Sequence, residues 1–142
     1  MDIFDRILLL KKSPVFEQVL TEDLRYVAKS MEAENFLAGE CIFNKGENGD
    51  HMYVIESGRV GISLNGGHQQ SGFVAELGPG ECFGEMNLLD NLPRSATAHV
   101  LDDTSMLTLD STRLRGLIIR HPELALGMLK GLSLRLRQTN EK

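Results

Sequence analysis

Residues 34–67 read ENFLAGECIFNKGENGDHMYVIESGRVGISLNGG. Turn signals at Ala38-Gly39, Lys45-Gly46, Asn48-Gly49-Asp50, Ser57-Gly58 and Asn65-Gly66-Gly67 cut this stretch into pieces too short for helices. Glycine and asparagine accept the backbone angles of tight turns, so each signal has a physical cause. Between the turns lie CIF (41–43), MYVIE (52–56) and RVGISL (59–64), with the β-branched and aromatic residues that suit strands. The pattern continues through GFVAELGPGE (72–81), a strand and a turn, to SATAHVLDD (95–103) and TSMLTLD (104–110), a final pair of strands. Short strands with regular turns from about 32 to 110 predict an all-β barrel or jelly roll.

On both sides the period becomes helical. In 1–31, MDIFDRILLLKK reads as an amphipathic helix that Pro14 ends, because proline drives Ser13 away from helical angles. TEDLRYVAKSM (21–31) follows, with Thr21 as the expected N-cap and Leu24, Val27, Ala28 and Met31 at helical spacing. In 111–142, Ser111 is the expected cap of a helix through Arg120, His121-Pro122 breaks the chain, and Pro122 opens another helix. Ala125, Met128, Leu129, Leu132 and Leu136 form its expected apolar stripe, with Leu124, Leu126 and Leu134 off it. Gly127 and Gly131 weaken that helix by about 1 kcal/mol each relative to alanine. A lid, a homodimer contact, both, or a helix simply docked on the barrel all fit this pattern. The expected organisation is one domain, 1–142: N-terminal helices, a β-barrel, and C-terminal helices.

Composition excludes several classes. Twenty acidic against fifteen basic residues, net charge −5, argue against a nucleic-acid surface. No apolar run approaches the roughly 20 residues that span a bilayer. The acids near the start do not suit a secretory signal. Cys41 and Cys82, far apart in no metal-like spacing, read as reduced buried thiols and imply a cytoplasmic setting.

One segment carries chemistry. FGEMNLLDNLPRSATAHV (83–100) interrupts the barrel with a short helix expected to begin near Gly84. The first N–H groups of a helix lack internal partners and suit an anion, and Gly84 presents no side chain to an approaching ligand. Arg94, its direction set by Pro93, offers a guanidinium fork that matches a phosphate. Glu85 would repel a phosphate, but it accepts a hydrogen bond from a hydroxyl beside one. These residues describe a small sugar phosphate with one charge and a free hydroxyl. An internal Glu85–Arg94 salt bridge closing the loop fits them equally well.

The segment resembles the phosphate-binding cassette of cyclic nucleotide-binding domains, the family of catabolite-activator-type regulators, kinase regulatory subunits and gated channels. The resemblance rests on Phe83-Gly84-Glu85-Met86-Asn87-Leu88-Leu89 and Pro93-Arg94-Ser95-Ala96-Thr97, and it extends to the G-D-x-M-Y-V-I turn-and-strand signature at 49–55. It implies a cassette at 83–97 in which Glu85 takes the ribose 2′-OH and Arg94 the exocyclic phosphate oxygens. Backbone N–H groups of Gly84, Glu85 and Ala96 complete the anion site, Ser95 adds a hydroxyl, and Met86 covers the sugar. Ser95 leans to cyclic AMP over cyclic GMP, Ala75 is placed near the base, and Arg135 and Thr139 occupy the positions of a lid helix that approaches adenine. A solvated helix end also accounts for Arg135 and Thr139. Asn87 departs from the family's small residue, which bears on helix packing and affinity, not on the anchor pair.

A metal-dependent jelly-roll enzyme would need clustered ligands. His51, His68, His99 and His121 are scattered, no activated nucleophile appears, and no metal or catalysis is expected. A degenerate fold kept for protein contact is the alternative. With no reading head for DNA after the last helix, the expected output is an attached domain or a partner protein.

Overall fold

A computed structural model describes residues 2–64 and 72–140. The Asn65-Gly66-Gly67 turn and His68 lie outside the described residues. The chain divides into two compact units, Glu32–Asp110 and the flanking segments Met1–Met31 with Ser111–Lys142.

The first is a six-stranded antiparallel sheet: β1 (Glu32–Phe36), β2 (Cys41–Phe43), β3 (His51–Ser63), β4 (Phe73–Leu77), β5 (Cys82–Phe83) and β6 (Thr97–Asp110). Its order is β1-β6-β3-β4, with β2 also on β6 and β5 on β3. This is the mainly β, jelly-roll class that the turn spacing predicts. The strand count differs. MYVIE and RVGISL are one strand, and SATAHVLDD and TSMLTLD are likewise joined in β6. Ser57-Gly58 cannot reverse the chain, because β3 pairs with β6 on both sides of it, at Ile55↔Met106 and Arg59↔Asp102. The register shifts there mark β-bulges, which bend a strand without ending it. Gly58 has φ 102°, and a Cβ on it would lie 2.6 Å from the Asp103 carbonyl.

One face of the sheet buries Tyr53, Ile55, Val60, Phe83, Ala98 and Met106, with Phe43 and Ile62 packed against them. Phe83 stacks on Tyr53 at 5.0 Å, and Phe43 tilts against both at 6.0 Å. A short helix, α3 (Asn87–Asp90), follows β5. It starts three residues later than expected, because Gly84 has φ 76° and the chain passes through a turn before helical angles begin. Asn91, at φ 52°, ends it in the left-handed region.

The flanking unit holds α1 (Ile3–Leu10), α2 (Thr21–Ser30), α4 (Ser111–Arg120) and α5 (Glu123–Asn140). Asp2 caps α1 by accepting from Asp5 N–H at 2.8 Å. Thr21 is not a cap: it is the first residue of α2, and Leu20 holds the cap position with no side-chain hydrogen bond. The far end of α2 is served by Arg6, whose Nη1 donates to the Ala28 carbonyl at 3.0 Å. Tyr26 and His121 stack at 3.7 Å.

The buried face of α5 is Leu124, Met128 and Gly131: Met128 belongs to the expected stripe, but Leu129 and Leu136 are each 62% exposed and Leu124, off the stripe, is buried. The glycines explain the choice. A Cβ on Gly131 would sit 2.5 Å from the Pro14 carbonyl oxygen, and one on Gly127 would sit 2.9 Å from Val19 Cα. The helix docks where it can approach backbone closely. Gly131→Ala is therefore expected to lower stability by about 1–3 kcal/mol despite alanine's better helix propensity, since backbone cannot yield as a side chain can. Chemical denaturation would check it, and a gain in stability would contradict this docking.

Candidate functional site

Arg94 enters its site through backbone pairing. Its N–H donates to the Glu47 carbonyl at 2.7 Å, its own carbonyl accepts from Gly46 N–H at 2.8 Å, and Pro93 bridges to Asn48. The Lys45-Gly46 and Asn48-Gly49 turns thus hold the segment before β6 that carries the arginine.

The side chain is buried, with 5% exposure. Its guanidinium lies 4.0 Å above the Phe43 ring, which itself packs at a tilt against Tyr53 and Phe83. Such a cation–π contact is worth more where water is excluded. Nη1 donates to Asn87 Oδ1 and Nη2 to the His51 carbonyl, each at 3.0 Å. Nε is buried with no hydrogen-bond partner. Two glycines make room: a Cβ on Gly84 would stand 2.7 Å from Nη1, and one on Gly49 would overlap Nε and Cζ.

No carboxylate pairs with Arg94 among the described residues. The Glu85–Arg94 bridge does not form, because the fork is already turned toward Asn87, His51 and Phe43. Glu85 is half-buried, and its carboxylate makes no hydrogen bond or ion pair among the described residues. Contrast Arg59, an exposed base of the same unit, which Asp102 holds at 2.8 Å. Burial draws the Arg94 pKa below the ordinary guanidinium value, against the pull of Tyr53 and the more distant acids Asp50, Glu47 and Asp90. The group still stays protonated, so the site keeps a desolvated cation with acceptors too few for its donors.

A cavity of about 180 Å³ opens beside it. Phe43, Ile62 and Phe83 form its apolar wall, and Gly84, Asn87, Arg94, Ser95 and Ala96 its polar one. The backbone N–H groups of Gly84, Glu85 and Ala96 donate to no backbone acceptor among the described residues. A cation, an orphaned buried Nε, unpaired N–H groups and a cradle that a Cβ would fill together suit a small anion with an apolar neighbour.

Of the expected site residues, Gly84, Arg94, Ser95 and Ala96 line this cavity and Glu85 adjoins it. Met86 is 51% exposed and does not line it. Ala75 is exposed on β4 but pairs with Ile62, so it shares that residue's face of the sheet. Arg135 and Thr139 are exposed on α5 in the helical unit, where the Thr139 hydroxyl donates to the Arg135 carbonyl. Nothing in the local sequence marks Phe43, Gly49, His51 or Ile62 as part of an anion site. Their part in the site comes from pairings remote in sequence, for which no local signal exists. Asn87 carries a signal, its size, which by itself suggests altered packing. It instead accepts from Arg94.

No group of three or more metal-ligating side chains occurs among the described residues, and no described helix is long and apolar enough to cross a membrane. The family model described as "Cyclic nucleotide-binding domain" matches residues 33–121. A CRP-like cAMP-activated global transcriptional regulator of Mycobacterium tuberculosis is 30% identical over 93% of this chain and 59% of its own length. The cyclic AMP receptor protein of Thermus thermophilus is 35% identical over 92% of the chain and 61% of its own length. The chain thus spans about three fifths of these regulators. A cAMP-dependent protein kinase regulatory subunit of Dictyostelium discoideum is 34% identical over 73% of the chain and 36% of its own length. Among solved structures, the N-terminal domain of a transcriptional regulator from Streptomyces coelicolor superposes with a TM-score of 0.83 at 30% identity, covering 94% of this chain and 92% of that one.

Proposed function

This chain belongs to the cyclic nucleotide-binding domain family, and from that premise we propose that it is a cytoplasmic, non-enzymatic sensor domain for cyclic AMP. The observation that carries the reading is the buried Arg94 fork, without a carboxylate partner, on the wall of a cavity that also presents Gly84, Ser95 and Ala96. A cyclic phosphate supplies the missing charge and accepts from Arg94 and from the N–H groups of Gly84, Glu85 and Ala96. The free Glu85 carboxylate accepts from the ribose 2′-OH. Phe43, Ile62 and Phe83 give the sugar an apolar wall, Met86 closes over it, and the base extends along the face that carries Ala75. Ser95 favours adenine, and α5, with Arg135 and Thr139, acts as the lid.

Residues 1–142 work as one regulatory domain in this reading. Ligand capture biases the position of α5 and, through it, an attached output domain, a partner protein or a second copy of the chain. The bias cannot exceed the ligand's differential affinity for the two states. Two of the relatives above are named for activation by, or dependence on, cyclic AMP, which supports that ligand over cyclic GMP. A large residue at 87 would favour the rival reading, a degenerate fold, if it disturbed the site, but Asn87 accepts from Arg94 instead.

Isothermal calorimetry with cyclic AMP and cyclic GMP, on protein unfolded and refolded to strip carried ligand, tests the proposal. Micromolar or tighter binding of cyclic AMP, weaker for cyclic GMP, is expected; no binding of either overturns it. Glu85→Ala is expected to weaken cyclic AMP by roughly tenfold, as loss of a hydrogen bond to a charged group does, while leaving 2′-deoxy cyclic AMP unaffected. Equal losses for both ligands would remove Glu85 from the ribose.

A further inference from the structure

Asn87 uses its whole side-chain amide. Oδ1 accepts from Arg94 Nη1 at 3.0 Å, while Nδ2 donates to the Leu92 carbonyl at 2.6 Å and the Gly49 carbonyl at 3.2 Å. The orientation is unambiguous. Flipping the amide would set oxygen against two carbonyls and a donor against a guanidinium. One residue therefore ties together the end of the cassette, the 48–50 turn and the anion-binding arginine. Gly49, on that turn, has no side chain where one would overlap Arg94 Nε and Cζ, so the carbonyl that Asn87 grips belongs to the residue that leaves the arginine its space.

A small residue at 87 could do none of this. Arg94 would then keep only the His51 carbonyl and the Phe43 face, and its Nη1 would lose its acceptor. We propose that Asn87 is a positioning residue of the anion site, holding the Arg94 fork in place before ligand arrives and so raising affinity. This rests on the reading of Arg94 as the phosphate-binding residue. The cost of ordering a long, flexible side chain is met in the free protein instead of on binding, which is the usual source of gain from preorganisation.

The test pairs two measurements on the full chain. In ligand-free protein, nitrogen-15 spectra of the arginine side chains should show resolved, slowly exchanging Nη protons for Arg94, identified by their loss in Arg94→Ala. Asn87→Ala, a residue type at home at this position in the family, should fold with its other barrel amides unshifted. It should average the Arg94 signals and weaken cyclic AMP by about two- to tenfold, the usual cost of ordering one long side chain on binding. Unchanged Arg94 signals or unchanged affinity in Asn87→Ala would overturn the proposal. If the wild-type chain binds no cyclic nucleotide, the sensor reading fails and takes the affinity gain with it, while the ligand-free spectra still report whether Asn87 orders Arg94.

Discussion

Arg94→Ala is expected to weaken cyclic AMP binding by about thirty- to several-thousandfold, equivalent to about 2–5 kcal/mol, the usual cost of removing one partner of a buried charged contact. The effect is large because nothing near Arg94 can replace it. The other bases of the sheet unit are Lys45, which donates to the Leu64 carbonyl, and Arg59, held by Asp102. Truncation should cost the free protein much less than it costs the complex. It removes a desolvated charge that has no carboxylate partner, and the losses are the Phe43 contact and the hydrogen bonds to Asn87 and His51. The ligand-free melting temperature should therefore move little, while the rise on adding cyclic AMP should vanish. Arg94→Lys should recover only part of the affinity, because an ammonium keeps the charge but not the planar fork. Affinity within threefold of wild type in Arg94→Ala would show that the anion binds elsewhere.

Gly49→Ala should weaken binding by about a hundredfold without touching the ligand, on the scale that a misplacement of about 1 Å costs a preorganised site. The added methyl would overlap Arg94 Nε and Cζ. Gly49 is not among the residues with positive φ, so alanine is tolerated by the backbone there. What must yield is the end of a flexible side chain, and moving it takes the fork off Phe43 and away from Asn87. Loss of affinity with little loss of stability is the expected signature. Gly84→Ala makes the contrast: φ 76° and the His51 carbonyl 2.9 Å from the new Cβ should lower stability as well as affinity. Wild-type affinity in Gly49→Ala would mean that Arg94 can act from another position.

Local sequence was sufficient where the physics is local. The glycine and asparagine turns of 38–58, the β-branched runs between them and the helical periods on either side determined a mainly β fold flanked by helices. The FGE and PR-S-A-T segments carry the family resemblance, and a short run of chain was enough to name Gly84, Arg94, Ser95 and Ala96, which line one cavity. Tertiary structure alone decided what depends on partners remote in sequence. Ser57-Gly58 has the chemistry of a turn, yet it is a bulge because β6 pairs on both sides of it. The stripe through Met128, Leu129 and Leu136 has the right period, yet α5 buries only Met128 of these, with Leu124 from off the stripe, because Gly127 and Gly131 let that face approach backbone. Glu85 and Arg94 are the right types for an ion pair, yet they stay apart because Asn87, His51 and Phe43 occupy the guanidinium first. Propensity acts over a few residues and is written along the chain, whereas the choice among competing partners is settled by which of them the folded backbone brings within contact.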